Sequence, residues 1–252
     1  MNCDQRAIRF SCLGSSLVGI IDLPERPLPR ALLMVATQRH SRLGPQRQFA
    51  MLARALARRG FAVMRFDRRG VGDSEGCDYN DSDVRAAVHE LCEQVPTVHE
   101  VLLLAAGSSA AIATASSCAR LDARVCALLL LDPRRRAGRR SKQALSADSP
   151  APAPAPIGAA LYWRRAALPR RGASAAARLA ALAAQLCAFP GRVLIIGAAD
   201  DAAAPTEWRQ LRSQVERLGA SARVQFVEQP CSGAADTDAD TAASCASWIA
   251  SW

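Results

Sequence analysis

Val101-Leu-Leu-Leu-Ala-Ala-Gly-Ser-Ser-Ala-Ala-Ile-Ala113 is an unbroken apolar run that closes on small residues and passes into alanine-rich sequence. An apolar run without polar alternation describes a parallel strand covered on both faces. Gly107, with Ser108 and Ser109, supplies a tight turn and an N-cap for the helix that follows. Strand, sharp turn and helix in that order are the setting of a G-x-S-x-G nucleophile elbow. Gly107-Ser108-Ser109-Ala110-Ala111 fits G-x-S-x-A, and it fits a purely structural βα turn of small residues as well. Ser108 and Ser109 are the candidate nucleophiles.

Working outward towards the N-terminus, Ala7–Cys12 and Ser16–Leu23 are two short extended runs separated by Leu13-Gly14-Ser15, a hairpin signal. After Pro24, Pro27 and Pro29, Ala31–Ala36 reads as another buried strand, and a polar loop, Thr37–Gln46, follows it. Phe49–Arg59 keeps apolar residues at 49, 52, 53 and 56, a helical spacing closed by Gly60. Phe61–Phe66 is the next strand. Hairpin, strand, helix and strand in that order predict an α/β class with a mostly parallel, doubly wound sheet and an N-terminal antiparallel hairpin.

Chain length agrees with one such domain over 1–252, large enough to bury a core without staples. The formal charge is +9 and Lys142 is the only lysine, so the basic excess is arginine. No basic stripe with interleaved aromatics accompanies it, so nucleic acid is not an expected partner and the excess reads as solvated helix faces. Nine scattered cysteines without a C-x-x-C pair point to a reducing, cytoplasmic setting, with Cys118 and Cys126 as small core residues. No basic segment leads into an apolar one at the N-terminus. No window approaches the roughly 18 uninterrupted apolar residues of a membrane span. Asp236, Asp238 and Asp240 alternate without the glycine and terminal Glu of a calcium loop and read as a solvated turn, so no metal or cofactor is expected.

The Arg134–Phe189 segment, residues 134–189, reads as a lid-like insert. It opens with clustered arginines, continues as an extended Pro-Ala linker at 149–156 and carries a helix over Ala175–Ala188. Leu161, Tyr162 and Trp163 are apolar residues that could line a site beneath it. Thr241–Trp252 reads as a closing helix with Trp248, Ile249 and Trp252 on one face.

Phe66-Asp67-Arg68-Arg69-Gly70-Val71-Gly72-Asp73-Ser74-Glu75-Gly76 resembles the F-D-x-R-G-x-G-D-S-E-G loop of α/β-hydrolases of the serine-aminopeptidase-like kind. Its glycines permit positive φ and close packing, and Asp67 and Arg69 are expected to pair across it. It is not a phosphate loop, because the G-x-G-x-x-G spacing is absent and no helix follows directly. Arg42-x-Gly44-x-x-Arg47-Gln48-Phe49-x-x-Leu52-Ala53, followed by Arg65-Phe66-Asp67, is similar to the type 1 hydrolase that accompanies the exosortase A system. Val95-Pro96, Leu131-Asp132-Pro133 and Tyr162-Trp163-Arg164 add to that likeness.

The resemblance implies an acyl-bond hydrolase on an α/β-hydrolase fold, with a small-molecule acyl substrate or ligand, exopolysaccharide-export proteins as partners and no cofactor. Aligned without gaps from Val95-Pro96, the family's nucleophile position falls on Gly107 and the next residue is Ser108; Ser109 takes the position only if two residues are inserted. Val193-Leu-Ile-Ile-Gly-Ala-Ala-Asp200 implies Asp200 as the triad acid, with Asp201 as the alternative. Asp236 stands where the family carries its histidine. All three histidines, His40, His89 and His99, precede the acid, whereas this fold orders nucleophile, acid, histidine. Thr37-Gln38-Arg39 replaces a Gly-Gly-Pro-like oxyanion segment, so an N–H facing a developing oxyanion is less easily reached. A scaffold with a degraded triad, weakly active or non-catalytic, is therefore the expectation, with an active serine hydrolase as the alternative.

Overall fold

The computed structural model describes residues 3–36, 41–44, 47–77, 82–106, 122–131, 175–198, 204–229 and 234–251. Eight strands form one sheet: β1 (Cys3–Cys12), β2 (Ser15–Pro24), β3 (Arg30–Val35), β4 (Ala62–Phe66), β5 (Glu100–Ala106), β6 (Val125–Leu131), β7 (Arg192–Ala198) and β8 (Val224–Gln229). Their order is β1-β2-β4-β3-β5-β6-β7-β8. The β1–β2 hairpin is antiparallel, with Cys12 opposite Ser15, and β2 joins β4 antiparallel; every other pairing is parallel. The expected mixed sheet is therefore present, with β5 near its middle.

Five helices are described: α1 (Gln48–Ala57), α2 (Ser82–Gln94), α3 (Ala175–Ala188), α4 (Ala204–Arg217) and α5 (Ala234–Ala250). Consecutive residues of a strand point to opposite faces, and both faces are covered here. Leu32, Met34, Leu102, Leu104 and Leu129 pack with α1 and α5, through Phe49, Leu52, Leu56, Trp248 and Ile249. Leu33, Val35, Leu103, Ala105 and Leu128 face α2, α3 and α4, through Val84, Leu91, Leu182, Leu186 and Leu211. Burial on both sides explains why β5 reads as an apolar run without alternation. Within 134–189, the described helix is α3, which packs Leu179, Leu182, Ala183 and Leu186 against the sheet. The 149–156 linker and residues 161–163 lie outside the described residues.

Two boundaries correct the sequence reading. The last helix begins at Ala234 and not at Thr241, so the backbone of Asp236, Asp238 and Asp240 is helical and the expected turn is not there. Helix α1 begins after Arg47 in a left-handed conformation, φ 64°, without a side-chain cap. The Leu43 carbonyl supplies the cap, accepting the Phe49 and Ala50 N–H groups at 3.1 and 3.4 Å.

Candidate active site

In a parallel sheet of this kind ligands bind outside the carboxyl ends of the strands. That edge is where β3 ends at Val35, β5 at Ala106, β7 at Ala198 and β8 at Gln229. Along the chain Ser108 and Ser109 follow β5 by two and three residues, and Asp200 and Asp201 follow β7 by two and three. All four lie outside the described residues, as do Thr37–His40. Asp236 is placed by its backbone alone, in the first turn of α5.

Two histidines can be placed, and neither stands at this edge. His99 immediately precedes β5, and its N–H donates to the Pro29 carbonyl at 2.9 Å just ahead of β3, so it marks the amino ends of both strands. A seven-residue strand at about 3.3 Å per residue puts it roughly 20 Å from the carboxyl edge. His89 is exposed on α2, which returns the chain from the end of β4 to the start of β5. Both side chains are exposed.

The described part of the edge is built on charged side chains that the sequence reading did not assemble. Arg65 and Asp22, 2% and 1% exposed, pair at 3.0 Å between β4 and β2. Arg65 also donates through Nη1 to the Arg42 carbonyl at 3.3 Å, and Gln5 of β1 donates to Asp22 at 2.5 Å. Asp67, fully buried, accepts from the Arg42 N–H at 2.5 Å, from Arg42 Nη1, and from the Asp73 N–H at 3.1 Å. Arg42 Nη2 reaches Asp73 at 2.7 Å. Residue 42 is thus held by its N–H, its carbonyl and its guanidinium. Burial opposes the charge on Arg42, but the bonds to Asp73 and Asp67 outweigh it and hold the guanidinium above its ordinary pKa. It is cationic at every working pH. The loop leaving β3 is consequently fastened to the loop leaving β4, beside the end of β5.

The expected Asp67–Arg69 pair does not form. Asp67 turns to the β3–α1 loop, and Arg69 pairs with the fully buried Asp83 of α2 at 2.8 Å while donating to the Cys12 carbonyl at 3.0 Å. The glycines explain the division. Gly72, at φ +57°, is wrapped so closely on Asp67 that a Cβ would occupy the carboxylate, and at Gly76, φ +88°, a Cβ would meet Arg69 Cγ at 2.5 Å. The loop folds around each side chain separately. Asp22 could have been found: it is a lone carboxylate between Ile20-Ile21 and Leu23-Pro24, and a charge on an otherwise buried face requires a partner.

The sequence model of the alpha/beta hydrolase family matches residues 39–248. The chain belongs to the alpha/beta hydrolase family. No curated protein matches this alpha/beta hydrolase by sequence. Among solved structures it is similar to an esterase from Pyrococcus furiosus, with 11% identity and TM-score 0.65 over 99% of this chain and 92% of that one. It is similar to a serine hydrolase without lid from Xanthomonas campestris, with 17% identity and TM-score 0.59 over 99% and 95%. It is also similar to the thioesterase domain of the curacin biosynthetic pathway, with 15% identity and TM-score 0.60 over 99% and 100%. At these identities the likeness is one of fold, and the fold is that of an α/β-hydrolase with an antiparallel N-terminal hairpin. No helix among the described residues is long and apolar enough to cross a membrane.

Proposed function

We propose that this single-domain α/β-hydrolase is of the exosortase A system-associated kind and has a degraded triad. On this reading it is non-catalytic or weakly active, and it works in the cytoplasm by binding a ligand or a partner tied to exopolysaccharide export. The observation that carries this reading is the position of His99, at the sheet edge opposite the strand ends, with His89 exposed on α2 and no histidine in the chain after residue 99. A serine hydroxyl needs a base of suitable pKa within hydrogen-bond reach, and a carboxylate such as Asp236 is far weaker than imidazole. A serine hydrolase stripped of a triad member retains on the order of 10³–10⁴-fold catalysis over water, from oxyanion stabilisation and binding alone.

One observation favours a second reading, an active serine hydrolase of esters, thioesters or similar acyl bonds using Ser108 or Ser109 with Asp200. Arg42 fastens the β3–α1 loop at the strand ends, and His40 lies only two residues before it in the chain. Fluorophosphonate labelling and p-nitrophenyl acetate turnover decide between them, measured on the parent, Ser108→Ala, Ser109→Ala and His40→Ala. The binding reading expects no stoichiometric labelling and at most weak turnover from the folded parent. Stoichiometric labelling that disappears in one serine variant sinks it, and loss of labelling in His40→Ala identifies the base.

A further inference from the structure

Between Glu25 and Asp67 the chain carries nine arginines and no carboxylate. Three of these arginines are engaged inside the fold, Arg30 with Glu100, Arg42 with Asp67 and Asp73, and Arg65 with Asp22. Arg47, Arg54 and Arg58 make no ion pair among the described residues. They flank and cross α1 with Met51 between them: the spacing 51, 54, 58 at 100° per residue keeps these three within about 60° of one another, and Arg47 stands at the N-cap. The opposite side of α1 is fixed in the core by Phe49, Leu52, Ala53 and Leu56. The stripe must therefore face solvent: Arg47 and Arg58 are exposed, Arg54 is half-buried against Gln5, and Met51 is 46% exposed. Leu43, whose carbonyl caps the helix, is 42% exposed at its N-terminal end.

We propose that this face of α1, with Leu43, docks the protein on an anionic lipid bilayer. Guanidinium groups match phosphate oxygens bidentately, and each basic group close to an anionic leaflet strengthens partition by about fivefold. Met51 stands between the cations and Leu43 is exposed at the same helix's N-terminal end, as an interfacial helix presents apolar groups to the headgroup and acyl boundary. The shape selects the partner. The stripe is a convex helix face, and two described cavities lie elsewhere, one on α4 at Arg209–Arg217 and one at the ends of the hairpin strands near Cys3 and Pro24. An acidic protein segment would need a hollow for its apolar side chains, whereas a bilayer receives a convex surface without one. This surface is independent of whether the strand ends carry out catalysis.

Sedimentation with vesicles of about 30% phosphatidylglycerol in phosphatidylcholine, against pure phosphatidylcholine, at about 0.1 M salt tests it. The parent is expected to sediment with the anionic vesicles and to be released near 1 M salt, where the Debye length falls to about 3 Å. Arg47→Gln, Arg54→Gln and Arg58→Gln combined lower the partition on the order of a hundredfold. The corresponding triple lysine variant stays within a few-fold of the parent, and circular dichroism shows both variants folded. Met51→Ser weakens binding several-fold without changing its salt dependence. Equal binding to both vesicle types, or a glutamine variant that binds like the parent, overturns the proposal. Capture of the parent by polyglutamate without vesicle binding also overturns it and assigns the stripe to an acidic protein.

Discussion

At the scale of single residues, the loop after β4 shows how backbone freedom and a buried charge depend on one another. Gly72 is needed twice, for φ +57° and for the space that the Asp67 carboxylate fills. Gly14, at φ +79° in the hairpin turn, meets nothing within 4 Å and is needed for its conformation only. The two substitutions to alanine should separate these effects. Gly14→Ala is expected to cost about 1–2 kcal/mol, the price of a left-handed alanine. Gly72→Ala adds displacement of a buried carboxylate from its three donors and is expected to cost about 3–5 kcal/mol, read from urea midpoints. Equal losses would show that Asp67 tolerates a changed setting. The pairing of this carboxylate was the part of the loop that sequence did not disclose. Asp67 and Arg69 are two apart and free to meet on paper, but the direction of each side chain depends on Arg42 and Asp83, which only the folded chain brings within reach.

At the scale of elements, burial pattern made the strands legible and side-chain chemistry set what could not be read. Val101–Ala106 and Val125–Leu131 are apolar throughout because helices cover both of their faces, and α3 lies at Ala175–Ala188, the span its alanine and leucine spacing indicated. The start of α5 was missed because Asp236, Thr237, Asp238 and Asp240 are weak helix formers and prefer turns and caps when read locally. The turn leading into β6 carries a measurable pH signature. Asp122 is held below its ordinary pKa of 3.8, chiefly by hydrogen bonds from the Arg124 side chain, with 2.8 and 3.0 Å contacts. A carboxylate with a depressed folded pKa stabilises fully above its unfolded value and loses that contribution as pH falls through the folded one. The stability difference between the parent and Asp122→Asn should therefore be constant above about pH 5 and shrink below about pH 4. A difference that persists unchanged to pH 2 would remove the ion pair as its cause.

At the scale of the molecule, a two-faced core decides which groups are chemically available. Cys245, buried on the core side of α5, has its thiol pushed up to about 12, and Cys126 of β6 to about 11, both by burial. Both are neutral at pH 8, with Cys245 buried and Cys126 half-buried, whereas Cys3 and Cys77 are exposed. Iodoacetamide at pH 8, read by peptide mass spectrometry, should modify Cys3 and Cys77 in the native protein and reach Cys126 and Cys245 only after denaturant is added. Early modification of Cys245 would mean that α5 opens readily from the sheet. The fold itself was legible because it depends on order and periodicity, which survive in one sequence. The catalytic assignment was not, since it turns on which of several small residues after β5 faces the edge and on a base the chain does not carry in the usual place.

The network around Arg42 draws all its members, Gln5, Asp22, Arg65, Asp67 and Asp73, from the first 73 residues, ahead of Ser108, Asp200 and Asp236 in the chain. The architecture of the strand ends is thereby held without Ser108, Asp200 or Asp236. Substitutions can accumulate at the turn after β5 or near the start of α5 without loosening what holds the first half together. A lineage built this way is free to shed its chemistry and still inherit a folded, occupied-looking scaffold, ready to be recruited for another task.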